Sequence, residues 1–188
     1  NVGAAARAML NFGLFDLRLV SPDADPLSDE AILRASGAAP VLRRSVTHDG
    51  MADAVSDLQL VLATTARPRE SRIPVYSPRE AVKAAADAIS RGERVGFLFG
   101  SEKNGLSNAE LEHASAIVTI PTAPGFSSLN LAQAVLLMCY EWSSSAEADA
   151  AREASEEDDD DEEAPRGNDA RAEMGQLESL FTFIEESL

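Results

Sequence analysis

Apolar and polar positions in the first three quarters of the chain switch repeatedly between a helical and a strand period. Gly3 to Phe12 is alanine-rich and helical, Asn11-Phe12-Gly13 stops it, and Phe15 to Val20 alternates as a strand does. Ser28 is placed to cap a helix running to Ser36, with Asp29 and Glu30 in its first turn and Gly37 beyond its end. Leu58 to Thr64 and Val95 to Phe99 are short apolar runs of the kind found in strands buried on both faces. Ser77-Pro78 opens a helix to Ser90, Ile117 to Ile120 forms a strand running into Pro121, and Leu129 to Trp142 forms a long apolar helix. Such alternation predicts an α/β fold, a mostly parallel sheet with helices on both faces.

Beyond residue 143 the pattern changes. The chain of 188 residues has a formal charge of −16, yet residues 1–143 carry 16 acids against 13 bases. Most of the acidity therefore sits in one tract, Glu153 to Glu163, which repels itself and predicts a disordered linker over residues 144–168. A second reading makes the tract an arm that competes with nucleic acid for a basic groove. Residues 169–188 recover a helical stripe through Met174, Leu177, Phe181, Ile184 and Leu188, predicting an amphipathic helix that must dock to persist.

Several classes are excluded on composition. The longest apolar runs fall short of the roughly 20 residues that a membrane-spanning helix needs, so no membrane partner is expected. A single cysteine, Cys139, and two histidines, His48 and His113, leave neither a disulfide scaffold nor a zinc module, and no metal site is expected. No Gly-x-Gly-x-x-Gly follows a strand, which disfavours a dinucleotide-binding domain.

Three stretches stand out from a plain α/β domain. Asn1-Val-Gly-Ala-Ala-Ala-Arg7 begins a helix with an Asn, a Gly and an Arg two turns in. Phe97-Leu-Phe-Gly100-Ser-Glu102-Lys-Asn-Gly105-Leu is a buried strand that breaks into a polar loop, and ligands of open α/β sheets sit at such carboxyl ends. Ile120-Pro-Thr-Ala-Pro-Gly-Phe-Ser127-Ser128-Leu129-Asn130-Leu-Ala places two serines and an asparagine at a helix start. Ser127 is a candidate N-cap there, and Asn130 a polar group in the first turn that needs partners.

In this order the three stretches resemble the SpoU branch of the SPOUT methyltransferases. The likeness is strongest to the bacterial and plastid enzymes that methylate the ribose 2′-hydroxyl at position 32 of tRNA. It covers residues 1–143, the methyltransferase domain, and extends to the C-terminal helix. It implies a C-terminal trefoil knot, S-adenosyl-L-methionine as cofactor, an RNA substrate with tRNA ahead of ribosomal RNA, and a homodimer with its active site at the subunit interface. It also implies a first strand ahead of Asn1, so the sequence is expected to be a fragment. A soluble intracellular protein is implied, cytoplasmic in a bacterium or organellar, as in a chloroplast, in a eukaryote.

Carried over by position, the resemblance assigns cofactor contacts to Thr64, Thr65, Ala66, Gly100, Ile120, Ser127, Ser128 and Leu129, with Gly100 leaving space for the ligand. It assigns catalysis to Arg7 with Asn1, Glu102, Ser128 and Asn130. A guanidinium stays protonated, so Arg7 is expected to grip the adjacent phosphate and stabilise a developing alkoxide rather than act as a base. Glu102 is expected to fix its loop or pair with Arg7. Arg67, Arg69, Arg72 and Arg79 form a local basic cluster that offsets the overall negative charge toward RNA. Two alternatives remain at this point: a ribosomal RNA ribose methyltransferase, and a non-catalytic RNA-binding module of the same fold. The joint presence of Arg7, Glu102, Ser128 and Asn130 counts against the second.

Overall fold

The computed structural model describes residues 1–66, 73–145 and 181–183. In chain order the elements are α1 (Val2–Leu10), β1 (Leu17–Val20), α2 (Asp29–Ala35), α3 (Ala39–Arg44), β2 (Val46–His48), α4 (Met51–Ala54), β3 (Leu60–Thr64), β4 (Val75–Tyr76), α5 (Pro78–Ile89), β5 (Val95–Phe99), α6 (Asn108–Leu111), β6 (Ala116–Val118), α7 (Leu131–Ser143) and β7 (Phe181–Phe183). The strands form one sheet in the order β2-β1-β7-β5-β3-β6-β4, and every pairing is parallel.

The sheet is covered on both faces because successive side chains of its strands point to opposite faces and apolar residues occupy both. Leu17, Leu19, Leu62, Phe97 and Phe99 point into the larger core with α1, α3, α5 and α7, while Val20, Val61, Ala63 and Leu98 join a smaller one with Ala54, Val55 and Leu106. Fully burying a side chain such as Phe97 or Leu62 contributes on the order of 1.5–3 kcal/mol. The helices begin where their caps dictate: Ser28 accepts from the Ala31 amide, and Ser77 with Glu80 closes a capping box around Pro78. A Cβ on Gly3 would lie 2.1 Å from the Ala31 carbonyl oxygen, so only glycine lets α1 approach α2 this closely.

Three local expectations change. Residues 39–44, 46–48 and 75–76, which carry no strong period, are helix or strand through their tertiary partners. Asn130, rather than Ser127, caps the last long helix, so α7 starts at Leu131 and not at Leu129. Residues 181–183, expected within an amphipathic helix, form β7. Phe181 lies beside Leu17 and Phe97, and Phe183 beside Phe99, so these residues join β1 to β5. A Phe-Thr-Phe run suits a strand flanked on both sides, and ladder pairing outweighs the helical spacing. The rest of residues 146–188, including the acidic tract and the other positions of the helical stripe, lies outside the described residues, as do Arg67, Arg69 and Arg72.

One buried charge ties the layers together. Arg18 on β1 is 8% exposed; it donates to the Ala54 carbonyl at 2.7 Å and to both oxygens of Asp57, at 2.5 and 3.0 Å. Arg94 reaches the same carboxylate at 2.7 Å. The hydrogen bond from Arg18 holds the Asp57 carboxyl below the usual carboxylate range. Because the folded pKa lies below the unfolded one, this stabilisation is present at neutral pH and is lost as pH falls through the folded value. Asp57→Asn should therefore cost about 1–2 kcal/mol at pH 7, the solvent-exposed part of Asp57 being screened. Urea unfolding of the variant and the wild type should converge as pH falls through the folded pKa of Asp57, which lies below its unfolded value. A gap of equal size at pH 7 and below that pKa would contradict the ion-pair account.

Candidate functional site

Parallel pairing brings the ends of three strands to one edge. Thr64 at the end of β3 lies opposite Phe99 of β5 on one side and Val118 of β6 on the other, so the residues that follow each strand emerge together. They line one crevice. Its wall includes Thr64, Thr65, Ala66, Gly100, Ile120, Ser127, Ser128 and Leu129, all eight positions expected for a cofactor. Ser101, Lys103, Asn104 and Leu106 also line it, which the sequence reading did not single out. Their signal was the glycine-bounded polar loop itself. The Thr64 hydroxyl oxygen is buried at the crevice wall without a hydrogen-bond partner, and a polar atom in that position suits a ligand able to reach it.

The loop after β5 folds back on itself. The Gly105 amide donates to the Ser101 carbonyl at 2.8 Å, the Asn104 amide donates to the Ser101 hydroxyl at 3.2 Å, and Gly105 holds a φ of +66°. A Cβ on Gly100 would stand 2.2 Å from the Gly105 carbonyl carbon and 2.3 Å from the Leu106 nitrogen. The expected reason for glycine is therefore corrected: Gly100 makes room for the backbone of its own loop, and shapes the crevice through that loop. Ser107 and Glu110 then close a capping box around α6, with Glu110 itself 5% exposed.

Asn130 joins the three stretches. Its Oδ1 accepts from the Gln133 amide at 3.3 Å, capping α7, while Nδ2 faces Asn1 Oδ1 at 3.3 Å and donates to Glu102 Oε1. Asn1 is in turn the N-cap residue of α1, without a side-chain cap bond of its own. So Asn1, Glu102 and Asn130 converge, and Ser128 lines the adjoining crevice. Arg7 does not converge with them. It is exposed in the last turn of α1, roughly 9 Å along the helix from Asn1, and its guanidinium has no ion-pair partner among the described residues. Of the two roles expected for Glu102, fixing its loop or pairing with Arg7, the pair is not made within this chain, and Glu102 accepts from Asn130.

The remaining chemistry-bearing side chains lie elsewhere. His48 pairs with Asp53 at 2.7 Å, and His113 is exposed beyond α6. Cys139 is buried in α7, where burial pushes its thiol well above the ordinary range, so it packs as a small apolar residue.

Comparison with known proteins agrees with this arrangement. Residues 1–140 match the SpoU rRNA Methylase family. The tRNA (cytidine/uridine/adenosine-2′-O-)-methyltransferase TrmJ of Pseudomonas aeruginosa is 42% identical over 141 residues, 75% of this chain and 54% of that protein. The tRNA (cytidine/uridine-2′-O-)-methyltransferase TrmJ of Citrobacter koseri is 40% identical over 154 residues, 79% of this chain and 62% of that protein. The chain thus spans a little over half the length of these relatives. Among solved structures, that of TrmJ from Z. mobilis ZM4 superposes with a TM-score of 0.70 at 43% identity, covering 87% of this chain and 66% of that one. With a parallel sheet, a crevice at its carboxyl edge and three motif stretches joined there, the chain belongs to the SpoU methylase family.

Proposed function

We propose that the chain is the catalytic domain, residues 1–143, of an S-adenosyl-L-methionine-dependent tRNA ribose 2′-O-methyltransferase. The observation that carries this reading is the Asn130 side chain, which links Asn1 and Glu102 beside the crevice. The names of the relatives favour tRNA over ribosomal RNA. They also favour an enzyme over a binding module.

The cofactor supplies a methyl group on a sulfonium. Thr64 would hold it through the hydroxyl now lacking a partner, with the backbone of Gly100, Ile120 and Leu129, the side chains of Ser127 and Ser128, and Thr65 and Ala66 completing the wall. Asn1, Ser128 and Asn130 orient the ribose, and Glu102 fixes Asn130 by accepting its amide. Arg7 grips a neighbouring phosphate and steadies the alkoxide as it forms, the proton passing to that phosphate or to water. A knotted path is supported by Ile120 and residues 127–129, which wall the same crevice as the loop from Gly100 to Leu106.

Since Arg7 is remote from the crevice of its own chain, it acts across a homodimer, in the partner's site. An apolar stripe supports this: Leu136, Leu137 and Tyr140 are 38%, 39% and 54% exposed on α7, which packs on α1, and Phe12 meets Tyr140 edge-on at 6.3 Å.

Four outcomes are expected. Gly100→Val should weaken cofactor binding at least tenfold by calorimetry, since the loop must move to admit a Cβ; unchanged affinity in a folded variant would remove the crevice as the cofactor site. Arg7→Ala should abolish methylation while leaving cofactor affinity nearly intact, and Arg7→Lys should also be poor for want of the bidentate fork. Mixing inactive Arg7→Ala with an equal amount of an inactive Asn130→Ala variant should restore one site in each mixed dimer and so about a quarter of the wild-type activity overall, whereas no recovery would place Arg7 in its own chain's site. Tyr140→Glu should give a monomer mass in light scattering with methylation lost; an active monomer would defeat the dimer.

A further inference from the structure

A second cavity, of about 500 Å³, meets the cofactor crevice at Glu102. Its floor is the motif cluster, Asn1, Glu102 and Asn130, and its far wall is the segment between β1 and α2, including Ala24, Asp25 and Ser28. The close approach of α1 to α2 at Gly3 fixes the distance between the two walls. No assigned role uses this segment.

Its polar groups are arranged unequally. Asp25 Oδ1 accepts from the Leu27 amide at 2.8 Å, and the Asp25 carbonyl accepts from the Ser28 amide at 3.0 Å, so the carboxylate is fixed by its own turn. Oδ2 has no partner among the described residues. The other charged groups there are Glu30 and Arg34, which neutralise one another at 3.0 Å, and Glu102, which is engaged by Asn130. Among the side chains of the described residues, the cavity therefore offers an oriented, exposed acceptor in Asp25 and no unpaired cation. That is unsuited to a phosphate and suited to an exocyclic amine.

Resting on the methyltransferase reading, we infer that this cavity holds the base of the nucleotide being methylated, and that Asp25 favours bases with an amine at the cytosine N4 or adenine N6 position over uracil. A ribose held by Asn1 and Asn130 beside Glu102 would direct its base into this space. A carboxylate accepts from the N4 amine of cytosine or the N6 amine of adenine, whereas uracil presents its O4 carbonyl at the same position. Uridine would then be methylated, but less efficiently than cytidine.

The test uses tRNA transcripts that differ only in bearing C, A, U or G at the position the wild type modifies. Asp25→Asn keeps an oxygen for the Leu27 amide and presents N–H donors, and should shift the ratio of kcat/KM for cytidine over uridine toward uridine by about fivefold. Ala24→Trp, an exposed position that narrows the cavity, should raise KM for tRNA about tenfold with cofactor affinity unchanged. Wild-type methylation with the same base preference in Asp25→Asn, or an unaltered KM in Ala24→Trp, overturns the assignment while sparing the methyltransferase reading. Failure of the wild type to methylate any transcript, with the cofactor bound, would overturn both.

Discussion

An asparagine side chain has one acceptor and one amide donor group, and in this fold Asn130 uses both at a point where three separate parts of the chain meet. Its oxygen caps α7 and its nitrogen faces Asn1 and Glu102, so the starts of two helices and the loop after β5 are held in one arrangement. Aspartate would keep the cap and lose the donor, leaving a carboxylate oxygen facing the Glu102 carboxylate. Alanine would lose both. The relative position of Asn1, Glu102 and the start of α7 thus depends on a single amide as much as on the sheet beneath it.

The sheet makes that meeting possible. Parallel strands deliver their carboxyl ends to the same edge, and βα connections return each chain segment to the opposite edge before the next strand begins. With Thr64 level with both Phe99 and Val118, the three loops that follow have no other place to go than around one crevice. Among the described glycines, Gly100 and Gly3 allow the two closest backbone approaches, one within the loop and one between α1 and α2; Gly100 lines the crevice and Gly3 the neighbouring cavity. Arg18 and Asp57 anchor a different part of the fold, joining β1 to the segment after α4.

Much of this was legible in the sequence because local and tertiary preferences agree. Ser28 and Ser77 announced helix starts, Val95 to Phe99 was continuous enough to be a buried strand, and all eight expected cofactor positions lie on one wall. Illegible positions are those where a partner decides. Residues 181–183 fit a helical stripe, but as β7 they take strand geometry from two neighbours that lie far away in sequence. Asn130 looked like a polar residue inside a helix and is its cap. The reason for Gly100 was misplaced because the sequence does not show which atoms a Cβ would meet. Asp25 gave no signal at all, since its significance comes only from facing Glu102 and Asn130 across a cavity.

Relatives about 40% identical over three quarters of the chain place it in a family of RNA methylases, while its crevice, its amide bridge and its exposed Arg7 state how the chemistry would be done. The most direct test is to incubate the full-length protein with total tRNA and S-adenosyl-L-methionine labelled in the methyl group, then digest the RNA with alkali. A ribose 2′-O-methyl group blocks cleavage at its own nucleotide, so the account predicts label in an alkali-resistant dinucleotide with wild type and none with Asn130→Ala. Label recovered on a base in alkali-sensitive mononucleotides, or undiminished labelling by Asn130→Ala, would contradict it.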